Sequence, residues 1–375
     1  MKNLLLFIAA IFLGISLYGW FVVRPRVGES PEGLDLERIK ASPQYDTKKD
    51  MFVNKNEALF AKAHKNINRR KILWRLFFPQ NESVPKVRLP DKSPDIKEFL
   101  APSEHLKLVW LGHSTFFVNF EGKIILFDPV FSKAGSPIGF INKRFQKPAI
   151  ALADMPKIDY IVISHDHYDH LDMETVQFFK DKKAKFIVPL GLSSYLTGWG
   201  IDGERIREFD WWDSAEMDGI EFVCTPAQHF SGRSQAHKNN TLWGSWVVRD
   251  KKQSLYYSGD SGYAGHFKAI GEKYGPFDIS LISNGQYNIQ WPMSHLHPEE
   301  TGKAYLELKS RSLLPLHWGM FNISTHNWYD PIEDIDQIAK EKGINLLTPM
   351  MGEIVYVGQT RPFEKWWKRL INKKD

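Results

Sequence analysis

The sequence is almost free of cysteine: Cys224 is the single thiol among 375 residues. One cysteine excludes an internal disulfide framework and any metal site built from several thiolates. Cys224 ends the run 219–224, whose composition predicts a strand, so we interpret it as a buried packing residue rather than a reactive thiol. The segment near the amino terminus has no cysteine either, which excludes lipidation of a thiol there.

A large excess of one charge is also lacking. The formal net charge is +5, from 49 basic and 44 acidic residues. This charge is compatible with an anionic membrane surface but too weak to indicate nucleic-acid binding, so we expect no nucleic-acid partner. Aromatic residues, in contrast, are abundant, at 14% of the chain with 13 Trp. Such a high aromatic content suits a protein that works at a membrane interface, although protein cores use aromatic residues too.

An apolar run without charge covers residues 4–23, with Lys2 before it and Arg24 and Arg26 after it. About 20 apolar residues are enough to span a bilayer as a helix. A cleaved signal peptide is the alternative, but the run is longer than a usual signal core and no small-residue cleavage site follows it. We therefore predict that residues 1–23 anchor the protein in the cell membrane as a single pass. The flanking charges do not fix the side of the membrane that the rest of the chain occupies.

Three further regions follow the predicted anchor. Residues 24–100 read as a polar extension, in which the stretch 66–79 mixes Arg and Lys with Leu, Trp and Phe as an interfacial helix would. A helix packed on the catalytic domain is an equal alternative for that stretch. Residues 101–360 form the predicted catalytic domain, and the tail 361–375 is again basic and aromatic. Two such segments favour contact with a membrane.

The most informative stretch is 164–172, which places three imidazoles and three carboxylates directly after the apolar run 158–163. That run predicts a buried strand. If the chain stays extended, His165 and His167 point to the same side, because strand side chains repeat with a period of two. Asp169 and His170 follow where the chain turns into a helix, so they face a second point nearby. The spacing predicts two adjacent metal ions.

Imidazole and carboxylate are the usual protein ligands of zinc and similar divalent cations, and a catalytic site leaves one position open for water. Two neighbouring ions can lower the pKa of a bridging water and hold an ester or phosphate oxygen. The stretch therefore indicates a hydrolase. A solvated loop of His and Asp is the alternative, but four ligand-type residues in register after a buried strand argue against it.

The pattern His165-x-His167-x-Asp169-His170 is similar to the signature of the metallo-β-lactamase superfamily. The resemblance implies an α/β fold, an αββα sandwich with the metals at the sheet edge, here preceded by a transmembrane helix. Predicted hairpin strands near the start of the catalytic domain and later strands alternating with helices fit this arrangement. Asp128 resembles the structural aspartate of the superfamily, and His113 resembles the histidine of its Gly-His-Ser turn. Both are expected to orient metal ligands.

Later motifs narrow the resemblance to the branch that contains N-acyl-phosphatidylethanolamine-hydrolysing phospholipase D, over residues of about 106–357. The segments that carry it are Thr225-Pro-Ala-Gln-His229, Leu242-Trp-Gly-Ser-Trp246, Gly259-Asp-Ser-Gly-Tyr263, Gly275-Pro-Phe-Asp278, His295-x-x-Pro298-Glu-Glu300 and Leu316-His-Trp-Gly319. The resemblance implies that His165, His167 and His229 hold one metal, that Asp169, His170 and His317 hold the other, and that Asp260 bridges them. Two zinc ions are expected, with manganese or iron as alternatives.

Asp169 and His295 are the expected catalytic residues, His295 as a general acid or as the group that orients the scissile phosphate. His297 is a departure, because the family more often has an acidic residue there. The implied reaction is hydrolysis of a phosphodiester in N-acyl-phosphatidylethanolamine or a related phospholipid at the membrane. A homodimer is left open. The alternative functions to phospholipid hydrolysis are hydrolysis of a small phosphoester, lactone or thioester, and a non-hydrolytic metal-binding or redox role within the superfamily. His167 disfavours the redox alternative, since di-iron relatives typically carry glutamate at that position.

Overall fold

The computed structural model describes residues 2–65, 68, 70, 74, 78, 81–359 and 362–371. The predicted interfacial stretch 66–79 therefore lies mostly outside the described residues, and so do the last four residues of the tail.

An exposed apolar helix opens the chain. Helix α1, Lys2–Tyr18, continues through a π-helical turn, Gly19–Val23, into α2, Arg24–Val27. Within the described residues this is the one helix long and apolar enough to cross a membrane, with a mean hydropathy of 2.3 and no buried part in its most apolar window. The expected apolar helix is confirmed. Its role as an uncleaved anchor stays a prediction, because a signal sequence has the same length and composition.

The rest of the chain is built from fifteen described strands and nine further α-helices. The strands are β1 Tyr45–Asp46, β2 Met51–Phe52, β3 Lys107–Trp110, β4 Phe116–Phe120, β5 Lys123–Phe127, β6 Tyr160–Val162, β7 Lys185–Pro189, β8 Ile206–Phe209, β9 Ser214–Met217, β10 Ile220–Thr225, β11 Ser245–Arg249, β12 Ser254–Tyr257, β13 Ile279–Ser283, β14 Leu313–Leu316 and β15 Ile354–Tyr356. The helices are α3 Gly33–Lys40, α4 Glu57–His64, α5 Ile96–Leu100, α6 Met173–Phe178, α7 Ser193–Gly198, α8 His266–Tyr274, α9 Pro298–Glu307, α10 Asp330–Lys342 and α11 Lys368–Ile371.

Two mixed sheets form the centre of the fold. The first has seven strands in the order β15-β3-β4-β5-β6-β7-β8, and the second has six in the order β14-β13-β12-β11-β10-β9. In each sheet, antiparallel neighbours on one side give way to parallel neighbours on the other, β5 to β8 in the first and β12 to β14 in the second. The hairpin of β1 and β2 stands apart from both sheets.

The alternation of side chains along the strands builds two hydrophobic cores. Leu108 and Trp110 of β3 point into the core shared with the second sheet, whereas Val109 points into the core that α6 and α7 cover. On the far side, α8, α9 and α10 pack against the second sheet through residues such as Phe267 and Ile335. The predicted αββα layering is thereby confirmed.

Main-chain hydrogen bonds tie the two sheets together at one edge. The His317 N–H, after β14, donates to the carbonyl of His113 over 3.0 Å, and the Gly244 N–H donates to the carbonyl of Ser164 over 2.9 Å. The loop after β6 lies at this edge, and so do the ends of β10, β12 and β14. The fold therefore brings the predicted metal ligands to one place from both sheets.

The carboxy-terminal tail corrects one expectation. Trp366 and Trp367 are buried, at 2% and 0% exposure, although their basic surroundings predicted contact with a membrane. The Trp367 indole N–H donates to Glu333 of α10, and the Lys365 ammonium pairs with Asp336 of the same helix. The acidic residues of α10 attract the basic tail, so its tryptophans pack into the domain. These two tryptophans therefore face the protein, whereas contact of the rest of the tail with a membrane stays a prediction.

Candidate metal centre

Three imidazoles converge on one point after β6. His165 Nε2 lies 2.9 Å from His167 Nδ1, and His229 Nε2, from the segment after β10, lies 3.3 Å from the same His167 nitrogen. The chain leaves the strand at Val162, earlier than expected, yet the side chains of His165 and His167 still meet. Three nitrogens this close to one another are the donor set of a divalent cation.

A second group of donors lies beside the first. Asp169 Oδ2 is 3.5 Å from His170 Nε2, and His317 joins them from the end of β14. His113 is a fourth member that we expected only as an orienting residue. Its Nε2 is 2.7 Å from Asp169 Oδ2. The signal for His113 was the Gly-His-Ser turn, but its contact with Asp169 depends on the packing of two distant loops.

Asp260, after β12, lies between the two groups. Its Oδ2 is 3.2 Å from His170 Nε2 and 3.8 Å from His229 Nε2, and its Oδ1 is 3.0 Å from His317 Nδ1. The sequence predicted Asp260 as a bridging carboxylate, and the structure places it where one carboxylate reaches both groups. A bridging carboxylate offsets the repulsion between two neighbouring cations.

The donor atoms fit a pair of divalent cations. Among the described residues, His170 Nε2 and Asp260 Oδ1 are buried without a hydrogen-bond partner. Such orphaned atoms are costly in a protein interior unless a ligand satisfies them. Burial lowers the pKa values of His165, His229 and His317, which keeps these imidazoles neutral with a free lone pair. Burial also raises the pKa of Asp260 to about 6, and a cation beside it would stabilise the carboxylate.

Asp128 organises the surroundings of the metal loop, which is the stretch 164–172 after β6. Its carboxylate accepts hydrogen bonds from the Ser164 N–H at 2.7 Å and the Tyr257 hydroxyl at 2.5 Å, and its Oδ2 is 2.6 Å from His170 Nδ1. The Ser164 hydroxyl in turn contacts His165 Nδ1 at 2.9 Å. A carboxylate that holds the far nitrogen of a ligating histidine fixes its tautomer and orientation. The structure therefore places Asp128 in the orienting position that the sequence indicated.

Three residues of this site have a strained backbone conformation. His113, Asp128 and His317 have positive φ angles of 53°, 35° and 66°. Residues other than glycine rarely adopt this region, and where they do so the surrounding structure holds them there. Three such residues around one cluster indicate a site whose geometry is enforced by the fold.

His295 lies against the cluster, with its Nδ1 3.7 Å from Asp260 Oδ2 and its ring stacked on that of His317 at 5.1 Å. Burial lowers the pKa of His295 to about 3, so the imidazole is neutral near pH 7. Of its two predicted roles, orientation of a substrate is therefore favoured over proton donation. The neighbouring His297 is the N-cap residue of α9, and its main-chain N–H donates to Glu300 Oε2 at 3.0 Å.

Arg233 is the residue that sequence reasoning missed. Its guanidinium is buried and donates to the carbonyls of Asp166 and Leu171, which lie within the metal loop, over 2.6 and 2.8 Å. It also donates twice to the carbonyl of Arg26, at 3.0 and 2.7 Å. It stacks on Tyr168, 4.0 Å from the ring centre. Arg233 thereby joins the metal loop to the end of the amino-terminal helix, a contact between distant residues that no local pattern predicts.

Comparison with known proteins agrees with this geometry. Residues 123–318 match the family described as Beta-lactamase superfamily domain. An uncharacterised protein of Mycobacterium tuberculosis is 37% identical over 346 residues, which cover 90% of this chain and 91% of that protein. N-acyl-phosphatidylethanolamine-hydrolyzing phospholipase D 1 of Caenorhabditis elegans is 34% identical over 294 residues, 74% of this chain and 82% of that protein.

Among solved structures, a metallo hydrolase from the archaeon Ignicoccus hospitalis superimposes with a TM-score of 0.54 at 23% identity. The superposition covers 67% of this chain and 97% of that one. This likeness supports the fold of the catalytic domain.

Proposed function

Because the chain belongs to the metallo-β-lactamase superfamily and is a metal-dependent hydrolase of that group, we propose that it cleaves a phosphodiester in N-acyl-phosphatidylethanolamine or a related phospholipid. The observation that supports a hydrolase is the position of Asp260. Its carboxylate lies 3.2 Å from His170 and 3.0 Å from His317, and it faces the three imidazoles of the other group. The similarity to the phospholipase of Caenorhabditis elegans supports the choice of substrate class.

The candidate ligands divide into two sets, one for each cation. His165, His167 and His229 would hold one cation, and Asp169, His170 and His317 the other, with Asp260 between them. Two bound divalent cations, zinc in the simplest case, supply a water of lowered pKa and a clamp for a phosphoryl oxygen.

The surrounding side chains hold the site in place. His113 fixes the Asp169 carboxylate, and Asp128 fixes the His170 ring, so the ligands need little rearrangement. The neutral His295 imidazole, whose Nδ1 is 3.7 Å from Asp260 Oδ2, would orient the phosphate.

The amino-terminal helix supports a lipid substrate. Its exposed apolar surface, Asn3–Val27, suits a single-pass anchor in the cell membrane. Its far end is docked on the catalytic domain: the Trp199 indole N–H donates to the Pro25 carbonyl at 2.9 Å, and Arg26 pairs with Glu174. Docking at the bilayer raises the effective concentration of a lipid substrate around the site.

The test is hydrolysis of N-acyl-phosphatidylethanolamine in detergent micelles by the zinc-loaded full chain, followed as release of phosphatidic acid. We expect turnover by the parent, at least about a thousandfold loss in Asp260→Asn, and unchanged turnover in Asp181→Asn. Asp181 is exposed and lies outside the cluster, so it controls for the loss of one carboxylate.

Failure of the parent to cleave this lipid, while it cleaves a generic phosphodiester, lactone or thioester with the same dependence on Asp260, would overturn the lipid substrate and keep the hydrolase. The anchor has a separate test. The intact chain should stay with membranes after alkaline carbonate washing, with a mass that includes residues 2–23. A shorter soluble chain would identify the segment as a signal sequence.

A further inference from the structure

A cleft of about 1060 Å³ opens beside the metal loop, between the segment that follows β5 and helix α6. Its lining is strongly basic. The basic residues are Arg26, Lys133, Lys143, Arg144 and Lys147, and Glu174 is the acidic one.

The acidic residue does not neutralise the cleft. Glu174 Oε1 accepts from Arg26 at 2.9 Å through Nε and 2.5 Å through Nη2, so these two charges compensate each other. Lys133, Lys143 and Lys147 are exposed, and no ion pair joins any of them to another described residue. Three positive charges are therefore held at one wall with nothing in the described chain to balance them.

Arg144 adds a fixed cation at the inner end of the same wall. Its Nε donates to the carbonyl of Ser132 at 2.8 Å, and a second nitrogen donates to Val130, so the guanidinium is held in place. Its Nη1 is buried and has no hydrogen-bond partner in the described part of the chain. A buried guanidinium nitrogen without a partner is a costly feature that a bound anion would relieve.

The cleft lies beside the end of the amino-terminal helix. Arg26, one of the lining residues, belongs to α2 and also donates from Nη1 to the Pro137 carbonyl at 3.3 Å. The loop 136–142, to which Pro137 belongs, is apolar at its tip, and Phe140 is 65% exposed there. Trp20 is likewise exposed at 60%, one turn before Arg24 on the helix. Exposed aromatic and basic residues at the end of an apolar helix are typical of the membrane interface.

We propose that this cleft binds the phosphate headgroup of an anionic phospholipid from the bilayer, at a position separate from the metal centre. The proposal rests on the membrane placement put forward above and does not depend on the hydrolytic reaction. A lipid fits better than free phosphate for two reasons. The cleft is far larger than one phosphate ion, and the apolar tip around Phe140 offers a surface to acyl chains.

Such binding would have a consequence for the metal centre. A side chain at Gly135 would contact Asp169, since the added Cβ would lie 3.0 Å from the Asp169 Cβ. The segment that forms the cleft wall is therefore packed directly against a candidate metal ligand. A headgroup held by Lys133, Lys143 and Lys147 would fix that wall, and with it the metal loop, at the height of the lipid headgroups.

The test uses the zinc-loaded full chain, immobilised in maltoside micelles. The chain is equilibrated with equal amounts of phosphatidylglycerol and phosphatidylcholine, and the retained lipids are extracted and quantified by mass spectrometry. We expect the parent to retain phosphatidylglycerol in at least about tenfold preference, since each basic residue near an anionic lipid surface contributes roughly a fivefold effect. The lysine variants described next leave every candidate metal ligand unchanged, so lipid captured at the metal centre contributes equally to every sample.

Two double variants with the same charge change separate the cleft from the overall charge. Lys143→Glu with Lys147→Glu should abolish the preference. Lys251→Glu with Lys309→Glu should retain it, because these exposed lysines precede β12 and β14, at the edge opposite the metal loop. An equal loss in both pairs, or no preference in the parent, would overturn the proposal. So would displacement of phosphatidylglycerol by millimolar inorganic phosphate that itself binds the parent, which would identify a site for the free ion.

Discussion

The metal centre and the basic cleft use charge in opposite ways, although the chain segment after β5 contributes to both. At the metal centre the titratable groups are buried and close together, and neighbours hold candidate ligands in place, as His113 holds Asp169 and Asp128 holds His170. In the cleft, Lys133, Lys143 and Lys147 are exposed, and no ion pair with another described residue balances them. The first arrangement fixes a geometry, and the second attracts a partner from outside.

The difference also separates the conditions to which each region responds. Buried groups interact strongly, are weakly screened by salt and respond to pH through desolvation. Exposed lysines cost little free energy of folding, and their electrostatic attraction for anions decreases as the ionic strength rises. The two regions can therefore be perturbed one at a time, and Arg233 is the residue through which they can be perturbed together.

The largest effect is expected from Arg233→Met, which removes the link between the metal loop and the end of the helix. The variant leaves the carbonyls of Arg26, Asp166 and Leu171 without their donor. We expect the free energy of unfolding, measured with urea in detergent, to fall by about 3–5 kcal/mol, since each buried carbonyl left without a donor costs about 1–3 kcal/mol. Arg249→Met, which breaks a half-exposed pair with Glu221, should lower it by about 1 kcal/mol or less. Equal losses in the two variants would contradict the linking role.

A smaller effect, confined to the metal centre, is expected from Asp128→Asn. The amide keeps the shape of the side chain but loses the charge that faces His170 Nδ1 and accepts from Tyr257. Zinc affinity, measured by competition with a chelating dye, should fall by about 10–100-fold. The lipid preference of the cleft should stay as in the parent. An unchanged zinc affinity would show that Asp128 does not orient the ligand.

Acid should destabilise the fold through His266, which is half-buried and contacts the Ser261 hydroxyl at 3.2 Å. Burial, with a smaller contribution from Lys55, lowers its pKa to about 3 in the folded chain. The unfolded chain binds a proton there near pH 6.5, so His266 makes stability fall as pH drops from about 6.5 toward 3 and has no effect above that window. In His266→Gln the slope of unfolding free energy against pH should be shallower by about 1.4 kcal/mol per unit in this window. Identical slopes in urea titrations of parent and variant between pH 7 and 4.5 would refute it.

The smallest effect is the response of the cleft to salt. Raising the ionic strength from about 0.1 to 1 M shortens the screening length from about 10 to 3 Å. The preference for phosphatidylglycerol should fall severalfold over this range, while the zinc content of the loaded protein stays constant. A preference that survives high salt would mean that the lipid is held by apolar contacts around Phe140 rather than by the lysines.

The sequence predicted the metal loop well, because the information there is local. The spacing of His165 and His167 after an apolar run, and of Asp169 and His170 beyond it, requires only the period of a strand and the start of a helix. The structure begins that helix at Met173, one residue after Asp172, close to the expected position. The positions of Asp260 and His317 at the ends of strands were predicted from local motifs in the same way.

What the sequence could not predict depends on contacts between distant segments. The place of His113 beside Asp169 arises only when two loops meet across the sheet edge. Arg233 reaches Arg26 across most of the chain, and the tail of Trp366 and Trp367 is buried because α10 offers acidic partners. Composition described the tail correctly as basic and aromatic, but only the packing decides whether such a segment faces lipid or protein.

The arrangement of Asp260 between ligands from both sheets has a consequence for assembly of the protein. The loop after β6 belongs to the first sheet, whereas His229, Asp260 and His317 follow strands of the second. The full set of donors exists only when the two sheets have docked, so cations that bind it stabilise the docked state over all others. The two bound cations would therefore stabilise the packing of the first sheet against the second. A cell short of the metal would then hold a looser protein as well as an inactive one.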